Sequence, residues 1–221
     1  MKLFLLLFTI PFLLNAASFS KSKKDLLKKV YYDNQITFYC SNPYEIKDDN
    51  GKQKALIIKD EKYYSPRKPF YKSGKVNTRA ERIEWEHVMP AHNFGRHLQC
   101  WRDGGRKACK SDKTFNEMEA DMHNLVPAIG EINGDRSNYR YGANNPIKEQ
   151  YGNCEFQVDF KGKRAYVKED IRGDIARIYF YMSDKYKVNL SKQERKMMEV
   201  WNKLDPISDW ERIKNKRVEK L

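Results

Sequence analysis

Between Arg82 and His92 the chain reads Arg-Ile-Glu-Trp-Glu-His-Val-Met-Pro-Ala-His, which gathers Glu84, Glu86, His87 and His92 into one short run. These residue types suit hydrolysis assisted by an oxygen-preferring metal. Glu86 offers the hard oxygen ligand that magnesium prefers, and a neutral His87 can take a proton from water. The zinc-protease pattern His-Glu-x-x-His is absent, and two histidines five residues apart face different sides of a helix. The plain alternative puts Glu84 and Glu86 on the solvent face of a strand, with His87 turned inward. Strand geometry also raises an objection, because neighbouring residues point to opposite faces. Glu86 and His87 serve one site only if the strand bends or ends there, and Pro90 supplies a reason for an ending.

A second cluster follows. Glu119 and Asp121 precede His123-Asn124, and Asn133-Gly134-Asp135-Arg136 comes shortly after. An Asn133 amide oxygen is a neutral hard ligand that could share a metal with Glu86. Taken singly, Asn133-Gly134 reads as a turn and Asp135 with Arg136 as a surface pair. His123 reads as a helix-end hydrogen-bonding residue, while His92 and His97 fall on a surface loop near the site. Lys62–Lys68 and Tyr139–Tyr141 mix aromatic and basic residues, which fits either a nucleic-acid groove or a solvated basic face with half-buried tyrosines.

The runs Glu84-Trp-Glu-His-Val-Met-Pro-Ala91, Cys100-Trp-Arg-Asp-Gly-Gly-Arg-Lys107 and Asp121 through Asn138 together resemble the bacterial endonuclease I family of periplasmic or secreted non-specific nucleases. The resemblance implies an α+β fold, a single domain in which a hairpin and a helix form a ββα-metal core with helix-rich surroundings. It implies that His87 is the general base, that Glu86 and Asn133 hold one Mg²⁺ (Mn²⁺ or Ca²⁺ able to substitute in binding), and that Arg106 binds the phosphate beside the scissile bond. Glu119 matches a family acid near the metal water, and Glu84 the first acid of the motif, placed behind the ligands. The implied activity is cleavage of double- and single-stranded DNA, and of RNA, to 5′-phosphate ends by a monomer.

These residues need elements to position them. Leu26, Leu27, Val30 and Tyr31 fall on one face of a helix over Ser20–Asp33. Residues Asn34–Lys54 read as irregular, with a turn at Asp48-Asp49-Asn50-Gly51. Ala55–Lys59 reads as a strand, and Arg79–Met89 contains another. Residues Gln99–Lys113, rich in Gly and Lys, read as a loop, and Thr114–Asn124 as a helix broken by Pro127, with a further helix from about Ala128. Cys154–Val167 is strand-like. Ile171–Tyr186 and Ser191–Leu204 are helical, the latter opened by a Ser191–Glu194 capping box and ended by Pro206.

The 221 residues carry 43 Lys+Arg against 30 Asp+Glu, a formal charge of +13, with 40% hydrophobic and 13% aromatic content. That is too much apolar surface for a disordered basic tail and too long a chain for a disulfide-stapled miniprotein. The charge points to a polyanion without choosing among nucleic acid, anionic membrane and acidic polysaccharide. Met1–Ala17 has a basic start, a short apolar run from Leu3 to Leu14 and small residues, the pattern of an export leader. A membrane-spanning helix needs ~20 apolar residues, so an uncleaved anchor is the lesser reading and residues 18–221 form the mature domain. Export makes Cys40, Cys100, Cys109 and Cys154 candidates for disulfides rather than for zinc, since no C-x-x-C spacing occurs. Cys100 and Cys109 flank Gly104-Gly105 and are expected to pair, which leaves Cys40 with Cys154. An exported DNA-binding protein without catalysis would need the charge but not Glu86, His87 and a distant Asn133.

Overall fold

The computed structural model describes residues 18–221, and the export leader expected over residues 1–17 lies outside them. Helix α1 (Phe19–Asp25) begins where the Ser18 hydroxyl accepts from the Lys21 amide, and a wider helical turn over Leu26–Val30 continues it. The predicted apolar face is buried there: Leu26, Val30 and Tyr31 pack with Leu125 and Val218 as a small second core.

Strands β1 (Tyr44–Asp49) and β2 (Lys52–Ile57) form a hairpin with Asp49 opposite Lys52. Asn50 and Gly51 connect them with φ of 52° and 77°, the positive values that a two-residue hairpin turn demands and Asn-Gly supplies. The turn lies where the sequence places it. The strand before it does not follow from the sequence, because Tyr44–Asp49 becomes steadily more polar and exposed toward the tip.

Strand β3 (Ile83–His87) leads into a long excursion before its partner. The excursion holds α2 (Ala91–Gly95), α3 (Gln99–Ala108) and α4 (Lys113–Ala120). The loop expected over Gln99–Lys113 is instead a broken helix: Gly104 and Gly105 leave helical geometry in its middle, Gly105 at φ 65° and ψ −156°. The Cys100–Cys109 disulfide closes around this break. Helix α4 starts on the Asp112 side chain and stops at Ala120, short of the predicted end, as Asp121 turns extended.

Strand β4 (Leu125–Ile129) then pairs antiparallel with β3, placing Glu86 opposite Val126 and His87 opposite Leu125. Helix α5 (Gly130–Arg136) follows without a loop. Pro127 therefore lies inside a strand rather than at a helix break. A two-stranded sheet leaves each strand an open edge, where a missing N–H costs little.

A small three-stranded sheet follows: β5 (Arg140–Tyr141), β6 (Gln157–Asp159) and β7 (Arg164–Tyr166), in the order β5-β7-β6. Helices α6 (Arg172–Tyr186), α7 (Lys192–Leu204) and α8 (Asp209–Val218) complete the chain. The Ser191 hydroxyl caps α7 as expected, and Met198 and Trp201 are buried. The main core runs from Met89, Phe94 and Phe115 through Ile132 and Phe156 to Tyr179, Met182 and Trp201. Cys40–Cys154 stitches the segment before β1 to the segment before β6. The architecture is mixed helix and strand, as the sequence predicts.

Candidate active site

A cavity of about 650 Å³ opens over the end of β3 and the start of α5. Glu84, Glu86 and His87 of β3, Arg106 beyond the α3 bend and Asn133 of α5 all line it. The antiparallel pairing of β3 and β4 explains this meeting, since α5 starts directly from β4 and lies against β3. The objection from strand geometry is resolved by position. β3 ends at His87, and Glu86 and His87 are both buried at the cavity floor, 3% and 7% exposed.

His87 sits against Phe94 and Phe19, its ring centroid 5.0 Å from that of Phe19. Its Nε2–H donates to the Glu119 carbonyl at 2.8 Å. A carbonyl can only accept, so the proton is fixed on Nε2 and the neutral ring keeps its lone pair on Nδ1. Burial pushes the imidazole down to about 4, helped by the nearby cations Arg106, Arg136 and Lys23 and opposed by the Glu119 carbonyl. The ring therefore stays uncharged at neutral pH.

Glu86 Oε1 accepts from Tyr39 Oη at 3.0 Å and lies 3.3 Å from Arg136 Nη1. Burial pushes its carboxyl up to about 7, against the pull of Arg136 and Tyr39. Such a carboxyl gains most from a second cation nearby. Asn133 Nδ2 donates to Glu84 Oε2 at 2.9 Å, which fixes the amide so that its Oδ1 remains available. Glu84 is in turn held by Arg79 and Arg82, at 2.6 and 2.7 Å. One carboxylate oxygen and one amide oxygen in a wet cavity suit Mg²⁺, which keeps several waters and takes few protein ligands. The donor set thus fits that ion. No cluster of three or more His, Cys, Asp or Glu side chains able to hold a metal occurs among the described residues.

Glu119 stands behind the cavity rather than in it. Its carboxylate binds Arg106 Nε at 2.6 Å and its carbonyl holds His87, so one residue positions two others. The bend at Gly104-Gly105 is what returns Arg106 toward the strand pair. His92 lines the cavity from α2 and meets Trp101 edge-on, whereas His97 is exposed beyond it. His123 is remote from these groups, stacked on Tyr181 and bonded to Asp121 at a helix end.

Sequence reasoning missed Arg136, Phe19 and Lys23. Arg136 is wholly buried, not half of a surface pair. It donates to the carbonyls of His87 and Val88 at 3.2 and 2.6 Å and covers the Tyr141 ring. Asp135 pairs with Arg67 instead. No local pattern marks Arg136, because its partners belong to β3. Phe19 and Lys23 come from α1, more than sixty residues before His87. The Lys62–Lys68 segment is anchored from within: Tyr64 Oη and the amides of Arg67 and Lys68 all donate to the buried Glu131 of α5, while the Lys62 and Lys68 side chains stay exposed.

The Endonuclease I family model matches residues 18–221. An extracellular deoxyribonuclease of Aeromonas hydrophila is 45% identical over 94% of this chain and 85% of its own length. A periplasmic deoxyribonuclease of the same organism is 45% identical over 93% and 82%. Endonuclease-1 of Buchnera aphidicola subsp. Acyrthosiphon pisum is 52% identical over 67% of this chain and 59% of its own length. With its cavity built on the three runs that first suggested the resemblance, the chain belongs to the endonuclease I family.

Proposed function

We propose that the protein is an exported, Mg²⁺-dependent endonuclease that hydrolyses phosphodiester bonds of DNA, and of RNA, without sequence preference, through a ββα-metal core of β3, β4 and α5. One observation carries the reading. His87 is neutral, holds its proton on Nε2, and shares a cavity with the oxygens of Glu86 and Asn133. The relatives named extracellular and periplasmic deoxyribonucleases support the substrate and the destination, and two disulfides suit an oxidising compartment.

In this mechanism His87 Nδ1 removes a proton from a water aligned with the phosphorus. The water oxygen bonds to phosphorus as the bond to the 3′ oxygen breaks, and the departing 3′ oxygen takes a proton from solvent, leaving 5′-phosphate and 3′-hydroxyl ends. Arg106 places a fixed cation beside the charge that builds on the non-bridging oxygens. Glu86 and Asn133 would hold the ion, which when bound stabilises that charge and the leaving oxygen. Glu119 keeps base and cation in register, and Glu84 keeps the Asn133 amide turned.

Purified mature protein incubated with plasmid and with RNA, in Mg²⁺ and then in chelator, tests the proposal. Metal-dependent loss of both substrates is expected. Tight binding without cleavage would favour a DNA-binding protein instead, and loss of DNA alone would remove RNA from the substrate range.

A further inference from the structure

The active-site cavity continues past His92 and Asn138, because both residues also line a neighbouring cavity of about 280 Å³. Two walls run from one to the other. One is α2, from Ala91 and His92 to Arg96 just beyond it, and the other is the chain after α5, from Ser137 and Asn138 to Arg140. Arg96, Arg140, Lys163 and Arg164 converge on the second cavity, against Glu194 as its carboxylate. Elsewhere Arg67, Arg79, Arg106 and Arg177 are each held by an acid. The four converging cations are in no ion pair among the described residues. Cations gathered in a concave site repel one another, and an anion relieves that repulsion.

We propose that this second cavity binds a backbone phosphate of the nucleic-acid strand being cut, the one adjacent to the scissile phosphate. The inference rests on the nuclease reading above. The four-residue step from His92 to Arg96 advances about 6 Å at helical rise. The parallel step along the other wall advances about 7 to 10 Å at extended rise. A strand rises about 3.4 Å per nucleotide along its axis and winds around that axis as well, so successive phosphates lie further apart than the rise and such a span reaches the neighbouring one. Guanidinium forks match phosphate oxygens in pairs. Asn93 and Asn138 add uncharged polar groups beside them. A site of this kind holds the strand in register while carrying no sequence information.

The test is steady-state cleavage of a linear duplex over a range of salt by the triple variant Arg96→Ala, Arg140→Ala, Arg164→Ala. KM should rise about tenfold, with kcat within about twofold of wild type. The slope of log affinity against log salt should fall by about one, as expected when one phosphate contact is lost. The corresponding triple lysine variant keeps the charge and should recover most of the slope; if the triple alanine variant does not fold, the single variants Arg96→Ala and Arg140→Ala, at exposed positions, carry the test and should each raise KM and lower the slope in part. Lys203→Ala, Lys216→Ala, Lys220→Ala removes the same formal charge from exposed positions and should change neither KM nor slope. An unchanged slope in the first variant, or an equal change in the control, overturns the proposal. A wild-type protein that cuts nothing in Mg²⁺ overturns the nuclease reading itself, which is a separate result.

Discussion

At the scale of single residues, the site depends on how a few polar groups are held. His87 has one ring nitrogen occupied by the Glu119 carbonyl and the other free to act. His87→Ala should lower kcat by about 10² to 10⁴-fold, the usual contribution of a positioned general base, while DNA binding measured in chelator persists. Cutting at near the wild-type rate would remove His87 from that role. Asn133→Ala acts differently. It deletes an amide oxygen that Glu84 keeps aimed, so the Mg²⁺ concentration for half-maximal activity should rise by about tenfold or more, within the range for lost metal-site partners. A titration of metal against rate that superimposes on wild type would exclude Asn133 as a ligand. Glu86 and His87 stand out in the sequence because a carboxylate and an imidazole sit side by side in one short run, whereas Asn133 lies far along the chain and is singled out only with the resemblance of its own run. Arg136 was not legible there. A buried arginine is defined by the carbonyls it reaches, and those of His87 and Val88 are brought to it only by the fold.

Among the elements, the α3 bend and the junction of α4 with α6 make the clearest predictions. Gly105 lies at φ 65° and ψ −156° with nothing within 4 Å of where a side chain would begin. An alanine there meets no clash, only a backbone region that is almost exclusive to glycine and costs about 1–3 kcal/mol. Gly105→Ala should therefore lower both the melting temperature and kcat, because relaxing the bend moves Arg106. Gly51→Ala, at the tip of the β1–β2 hairpin, should lower stability alone.

Asp121, just past α4, is buried, which raises its carboxyl, but bonds from His123, Lys185 and Tyr186 outweigh burial and hold it far below the usual range. A depressed carboxylate contributes stability above the unfolded value near 4 and loses it as pH falls toward the folded one. The wild-type and Asp121→Asn unfolding free energies should differ by roughly 2 kcal/mol at pH 7, the order expected for such a carboxylate, and converge below about pH 4. Parallel curves across that range would refute the assignment.

Several elements could be foreseen where sequence signals are local: the Asn50-Gly51 turn, the Ser191 cap of α7 and the apolar face that follows α1. Strand β4 could not, because Leu125–Ile129 is buried at all five positions and has no alternation to read. Helix α8 did leave a signal. Ser208 caps it by accepting from the Glu211 amide, and the Ser-x-x-Glu spacing stands in the sequence just after Pro206.

For the molecule as a whole, two crosslinks differ in reach. Cys40–Cys154 spans 114 residues and Cys100–Cys109 spans 9. Chain-entropy reasoning gives about 5 kcal/mol for the first loop and about 3 kcal/mol for the second. Cys40→Ala with Cys154→Ala should accordingly depress the denaturation midpoint more than Cys100→Ala with Cys109→Ala. The second pair should cost more activity per unit of lost stability, since its loop carries Arg106. Equal effects of the two pairs on stability would count against this ordering. No helix among the described residues is long and apolar enough to cross a membrane.

The placement of Phe19 has a practical consequence. Its ring forms part of the cavity wall beside His87 and under Arg106, so anything joined just ahead of Ser18 leaves the protein at the rim of the catalytic opening. Leu221, at the other end, is exposed and lines none of the cavities described above. For preparing the protein, an affinity handle therefore belongs after Leu221. A segment fused at the front would emerge beside His87, and a preparation made that way should cut more slowly than one tagged after Leu221.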